Sequence, residues 1–197
     1  MQTIYLFLLS LCLTSSPKPK PALKIAVLYF SAVDKNLQAE LLQNITATYN
    51  CTVTEIKGIS LLPVAAFYKP RNRYRVPVLP TSLNTIAGYD KVIGITTKDI
   101  STTKSGIYDW GVMGLANCPG KPCVISTFRI KTANKVLFND RFIKIALHEL
   151  GHTMGLPHCT FSKTCFMEAA EGTIKMVDRE TRFLCGNCRK LINQYIK

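Results

Sequence analysis

The chain is short of acidic residues: twelve Asp plus Glu stand against twenty-five Lys plus Arg, a formal net charge of +13. That balance excludes an acidic, solvating tail and points to anionic surfaces or partners, while saying nothing about fold. Long hydrophobic runs are also missing. The longest, Ile4 to Leu13, lies at the extreme N-terminus, and a membrane-spanning helix needs about 18 apolar residues or more, so a multi-span membrane protein is excluded. Charged residues make up only 19% and hydrophobic ones 47% of the 197 residues, which excludes a disordered chain and supplies the core of one ordinary domain. Histidine is scarce too, and its three copies, His148, His152 and His158, all fall within eleven positions.

What is present begins with the N-terminus. MQTIYLFLLSLCLTSS joins a short apolar core to small polar residues, and Pro17 to Pro21 then alternate with lysine. Residues 1–16 read as a signal segment and 17–22 as a stiff Pro/Lys linker, leaving 23–197 as one domain. No Lys or Arg precedes the apolar stretch, whereas Lys18, Lys20 and Lys24 follow it, a charge order that export does not favour. Leu9-Ser10-Leu11-Cys12 resembles a bacterial lipobox, which makes Cys12 a candidate for lipidation and the N-terminus a candidate anchor at a membrane surface. The alternative is that Cys12 is one more apolar residue of the segment. Export (secreted, periplasmic or lipid-anchored) is the expected location, with the cytoplasm as the alternative.

From Leu23 to Phe30 the run is continuously apolar and strand-like, and Asp34 to Tyr49 follows with Leu37, Leu41, Leu42 and Ile45 at helical spacing. Further strands are expected at Thr52–Ile56, Lys91–Thr97, Gly111–Leu115 and Cys123–Ile130, and a short helix at Pro80–Ala87 stopped by Gly88. The pattern predicts an α/β or α+β domain around one sheet, without internal repeats. Lys69 to Arg75 packs four cations into seven residues. It reads as a solvated loop, and specific nucleic-acid binding is not expected because no recognised module accompanies it.

The chemistry concentrates late in the chain. Asp140 to Thr153 reads as an amphipathic helix capped by Asn139 or Asp140, with Phe142, Ile143, Ala146, Leu147 and Leu150 forming its apolar stripe. On it sits His148-Glu149-Leu150-Gly151-His152. Four helical residues advance about 400°, so both imidazoles project from one face and can reach one ion. Gly155 follows where a left-handed residue would end the helix and let the chain double back, presenting His158 as a third ligand. Three nitrogens leave a fourth position open, the mark of a catalytic rather than a structural zinc, and Glu149 lies close enough to act as general base on a water. The bland alternative, ordinary core or surface histidines, is disfavoured by the fixed spacing of the extra glycine and third histidine.

Four of the eight cysteines, Cys159, Cys165, Cys185 and Cys188, crowd behind the histidines. Two close pairs, the second a CxxC knuckle, match a closed tetrahedral four-thiolate zinc site that would staple the C-terminal segment to the catalytic helix. Two disulfides, or free buried thiols, are the alternatives.

These residues resemble one family, the archaemetzincins, a branch of the metzincin zinc peptidases. That family carries HExxHxxGxxHC, a second cysteine within CxM, seventeen residues and CxxC. Here His148 to Cys159 is followed by Cys165-Phe166-Met167, seventeen residues from Glu168 to Leu184, and Cys185-Gly186-Asn187-Cys188. Five residues rather than four separate Cys159 from Cys165, a loop insertion that leaves the ligands in order. Arg71, Tyr74, Gly114-Leu115-Ala116, Ser126 with Arg129, and Arg141 with Lys144 also look like family positions, so the resemblance runs from about Leu23 to the end.

The resemblance implies a catalytic zinc on His148, His152 and His158, Glu149 as general base, and a second, structural zinc on the four cysteines. It implies Met167 as an apolar floor beneath the histidines, and a compact metzincin domain with a mixed sheet, an active-site helix and a zinc-stapled C-terminal segment. The expected activity is hydrolysis of peptides or proteins, with acidic substrates favoured by the net charge, in a monomer. The alternative is a non-catalytic, zinc-stabilised module that docks an acidic partner. Cys118 and Cys123 lie outside the family pattern and would suit a local disulfide in an exported protein.

Overall fold

A computed structural model describes residues 22–59 and 61–196; the signal segment, Cys12 and nearly all of the linker lie outside the described residues. The run from Leu23 becomes β1 (Lys24–Tyr29), which pairs in parallel with β2 (Thr52–Ile59) on one side and β5 (Lys91–Thr96) on the other. β9 (Pro122–Ser126) continues the parallel sheet, and β8 (Gly114–Ala116) closes it antiparallel as the edge strand, giving the order β2-β1-β5-β9-β8. Side chains alternate between the faces of a strand, and both faces here are covered. Ile25, Val27 and Tyr29 join the core beneath the long helices, while Ala26, Leu28 and Phe30 join a second core on the opposite face. That is why β1 is apolar from Ile25 onward rather than alternating.

Helix α1 (Lys35–Tyr49) begins where Asp34 accepts hydrogen bonds from the N–H groups of Asn36 and Leu37, and it ends at Asn50 in the left-handed region. Its buried Leu37, Leu41, Ile45 and Tyr49 face the sheet and the long helix α3 (Lys135–Thr153). α3 starts five residues before Asp140 and is capped by Asn134, whose side-chain oxygen accepts from the Leu137 N–H at 3.1 Å. The expected cap at Asn139 or Asp140 is wrong because these polar residues have partners within the fold. Asp140 takes the Lys144 ammonium at 2.6 Å and the Arg182 guanidinium at 2.8 Å. The first turn is apolar in sequence, but Val136 faces solvent while Phe138 packs against the core.

The single-sheet expectation is extended by a second sheet, β3 (Phe67–Tyr68), β4 (Arg73–Arg75), β6 (Ile100–Lys104) and β7 (Ile107–Val112), in the order β3-β4-β6-β7. The stretch expected as one strand, Gly111–Leu115, is divided at Met113: its first half belongs to β7 in this sheet and its second to β8 in the other. The strand expected at Cys123–Ile130 stops at Ser126 and turns through a short 3-10 segment, Phe128–Ile130. The helix expected at Pro80–Ala87 is α2 (Leu79–Asn84).

The basic run is not a solvated loop throughout. Arg73 binds Asp99 at 2.6 Å and Asp109 at 2.8 Å, and the buried Arg75 donates to Thr103 Oγ1 at 2.7 Å and to the Tyr108 carbonyl. Asp99 also takes Arg129 at 2.8 Å. These cations are spent inside the small sheet and its junction with the turn after β9. Cys118 is exposed and Cys123 is buried in β9; both are free thiols rather than a disulfide.

Two short helices, α4 (Ile174–Arg179) and α5 (Gly186–Ile196), complete the chain. Ion pairs fasten this segment to α3: Arg141 grips Asp178 through two bonds of 2.6 and 2.7 Å, and Arg182 bridges Asp140 to Glu40. The hydrogen bonds from Arg141 hold the Asp178 carboxyl below its ordinary 3.8. For Asp140 burial pushes upward, but hydrogen bonds from Lys144 and Arg182 outweigh it and the net shift is downward. A carboxyl depressed in the folded state stabilises above its unfolded pKa and loses that contribution as pH falls through the folded value. The share of stability these two carboxyls contribute should therefore be retained from pH 7 to about 5 and lost below about pH 4. An Asp178→Asn variant followed by calorimetry should show a smaller loss over the same range.

Candidate metal centre

The two helical histidines lie one turn apart on α3, as their spacing requires. Two residues past the end of α3 stands Gly155, whose φ of +87° is open to glycine but costly for other residues. The N–H groups of Gly155 and Leu156 bond the carbonyls of His152 and Gly151 at 2.8 and 3.1 Å. The chain thus doubles back and carries His158 to the other two rings. The ligand-capable nitrogens of His148, His152 and His158 fall within 4.8 Å of one another.

Their tautomers are set by the backbone. Nδ1 of His148 lies 2.6 Å from the Phe166 carbonyl and Nδ1 of His152 lies 2.7 Å from that of Leu156. A carbonyl only accepts, so both Nδ1 atoms carry the proton and both Nε2 atoms present lone pairs. Those two Nε2 atoms stand 3.0 Å apart. Two lone pairs at that distance repel unless a cation lies between them, and a tetrahedral zinc with Zn–N bonds of about 2.0–2.1 Å would set its nitrogens about 3.3–3.4 Å apart. The donor set fits zinc. Burial, reinforced by the neighbouring His152, pushes the His148 pKa down to about 3, and burial lowers His152 and His158 as well. All three rings are held neutral, the form a metal binds.

Glu149 is buried beside them against β8. A Cβ on Gly114 would sit 2.5 Å from its Oε1, so only glycine leaves room for the carboxylate there. Burial pushes the Glu149 carboxyl up to about 8, and an adjacent divalent cation acts in the opposite direction, toward the ionised form. Beneath the site lies Met167, fully buried. A Cβ on Gly151 would come within 2.5 Å of its sulfur, so the glycine in the helical motif is what lets the methionine pack under the histidines. Tyr49 of α1 braces the same turn by donating to the Leu147 carbonyl at 2.5 Å.

The four late cysteines form a second cluster, their sulfurs within 4.8 Å of one another. Cys159 and Cys185 stand 3.6 Å apart, close to the roughly 3.8 Å expected across a tetrahedral zinc with Zn–S bonds of about 2.3 Å. All four are free thiols, so the disulfide alternative is not what this fold builds. Burial raises Cys185, but hydrogen bonds from the Cys188 and Asn187 N–H groups at the start of α5 and from the neighbouring thiols bring it down to about 7. Burial raises Cys165 to about 11 and pushes Cys188 up as well. The Cys159 N–H bonds the Met167 carbonyl at 2.6 Å, which ties the cysteine cluster directly to His158 and to the methionine floor.

A cleft of about 510 Å³ opens onto His148, Glu149 and His158. One wall comes from the small sheet, with Trp110 and Lys104, and from β8; the other from Ile145, Val177 and Glu180. Sequence reasoning missed Trp110 and Glu180, which carry no motif and reach the cleft only through the packing of β7 and α4.

Residues 24–194 match the family model of peptidase family M54. An archaemetzincin of Halobacterium salinarum is 28% identical over 179 residues, covering 86% of this chain and 99% of that protein. One from Methanopyrus kandleri is 34% identical over 137 residues, covering 69% of this chain and 75% of that one. The crystal structure of the Methanopyrus kandleri archaemetzincin superposes with a TM-score of 0.77 at 28% identity, covering 88% of this chain and 95% of that chain. That of Archaeoglobus fulgidus, complexed with malonate, gives 0.71 at 28% identity, with 86% and 99% covered.

Proposed function

The chain belongs to peptidase family M54 and is a zinc metallopeptidase; we propose that His148, His152 and His158 hold its catalytic zinc, that Glu149 is the general base, and that Cys159, Cys165, Cys185 and Cys188 hold a second, structural zinc. The observation that carries the first assignment is the pair of Nε2 lone pairs facing each other at 3.0 Å while both Nδ1 protons are spent on carbonyls. Zinc bound there supplies Lewis-acid activation of a water and of the peptide carbonyl.

The protein's own groups do the rest. Glu149, pinned against Gly114, takes the proton of the attacking water and passes it to the departing amine, so no covalent intermediate on the chain is needed. β8 is the edge of its sheet and runs beside Glu149, so its outward N–H and C=O groups are placed to pair with an extended peptide as one more strand. Met167 and the carbonyls of Phe166 and Leu156 keep the rings from rotating. The cysteine cluster fixes the segment that carries His158.

Zinc content per purified chain, measured with peptide hydrolysis, tests the reading. Wild type should carry two zincs, with one in His148→Ala, which should also be inactive, and one in Cys185→Ser. A single zinc lost only with His148 would overturn the structural site. Metal lost only with Cys185 would overturn the catalytic one.

A further inference from the structure

Glu180 is an anomaly in the cleft wall. It follows α4 directly, lines the cleft beside Ile145 and Val177, and is only 7% exposed, yet its Oε1 is buried without a hydrogen-bond partner. The charged groups around it are Lys144, Glu168 and Arg179, and each is engaged elsewhere. Lys144 bonds Asp140 at 2.6 Å and, of Glu180, only the backbone carbonyl at 2.9 Å. Arg179 and Glu168 pair with each other at 2.7 Å. A buried carboxyl oxygen without a partner is costly, and such groups persist where a function retains them. Burial pushes the Glu180 carboxyl up to about 8, so on its own it is mostly protonated at neutral pH, and a cation seated against it draws it to the ionised form.

The position of this carboxylate relative to the reacting centre is set by α3. Ile145 precedes Glu149 by one helical turn on the same face, so the recess walled by Ile145 and Val177 adjoins the proposed general base. Its sides are apolar, and a carboxylate stands in its wall, with a second, Glu171, also bordering the cleft. An aliphatic stem ending in a cation matches that arrangement: the methylenes pack on Ile145 and Val177 and the charged head reaches Glu180.

We propose that Glu180 is a specificity-determining residue that receives a lysine or arginine side chain of the substrate next to the bond to be cleaved. This rests on the peptidase reading of the same cleft. It is compatible with a general attraction to acidic peptides, because the net charge of +13 acts at long range and is screened by salt, whereas Glu180 acts at one subsite. A matched, partly desolvated ion pair distinguishes such a side chain from an apolar one by about tenfold or more.

The test uses the zinc-loaded full chain in the Glu149→Gln background, where binding is read without turnover. Labelled peptides on an Ala/Gly background carry one Lys or one Leu, scanned through each position, and their dissociation constants are measured by fluorescence anisotropy. At one position Lys should bind about tenfold tighter than Leu, and the ratio should fall to about one when Glu180→Gln is added. Equal binding of the two series, no binding of either, or a ratio that survives Glu180→Gln would overturn the assignment. If Glu180→Gln loses zinc or melts early, Glu180→Asp replaces it: the charge is kept but withdrawn by one methylene, and the ratio should shrink without vanishing. Failure of wild type to cleave any peptide would overturn the peptidase mechanism instead, and that outcome is separate because the binding ratio needs no turnover.

Discussion

Replacing Glu149 by Gln should lower peptide hydrolysis by about a hundredfold to ten-thousandfold, the range a positioned general base contributes, while the zinc content stays at its wild-type value. Gln is nearly isosteric and fills the space that Gly114 leaves open, so the cavity and the three histidines are undisturbed. The amide cannot take a proton from water, and that single loss isolates the base from the metal. Zinc analysis and steady-state kinetics on the same preparation check it. A variant that kept full activity would remove Glu149 from the mechanism, and one that lost its histidine-bound zinc would make it a structural support. The experiment also separates the enzyme from a docking module, whose partner binding would be indifferent to this change.

The second large effect is expected in stability, from Cys188→Ser. Cys188 is buried in the four-sulfur cluster, and its removal leaves three donors for a closed tetrahedral site. Structural zinc sites contribute folding free energy directly. A loss of about 4 kcal/mol, small beside the roughly 10–16 kcal/mol apparent affinity of such sites, lowers Tm by about 10 °C or more in a domain of this size. Activity should fall as well, since Cys159 adjoins His158 and bonds the Met167 carbonyl. Calorimetry with and without a chelator distinguishes the causes: chelation should destabilise wild type strongly and the variant little. Equal chelator shifts in both proteins would show that the cysteines hold no metal.

Much of the chemistry was legible before any fold was known, because it is written in local spacing. His148 and His152 need only a helix to share a face, Gly155 needs only its positive φ to turn the chain, and the CxxC at Cys185–Cys188 needs only a tight turn at the start of α5. The apolar run of β1 and the spacing of Leu37, Leu41 and Ile45 in α1 were equally readable, since burial on two faces or on one leaves its own period. Where polar residues have distant partners, local rules failed. Asp140 looks like a helix cap and is instead held by Lys144 and Arg182 within the helix body. Arg73 and Arg75 look like solvated charge, yet they are consumed by Asp99, Asp109 and the Tyr108 carbonyl. The small sheet escaped notice because β6 and β7 expose much of their surface and so carry little alternation.

The sequence by itself determined which atoms could bind metal, which carboxylate could act as base, and that one helix and one turn would bring them together, since each depends on neighbours within a few positions. Only the tertiary structure decided what surrounds them: Gly114 of a distant strand giving Glu149 its place, Gly151 admitting Met167, the carbonyl of Phe166 fixing the His148 tautomer, and Glu180 standing in the cleft wall with one oxygen unpartnered. Those contacts join residues far apart in the chain, and long-range packing leaves no periodic trace in sequence.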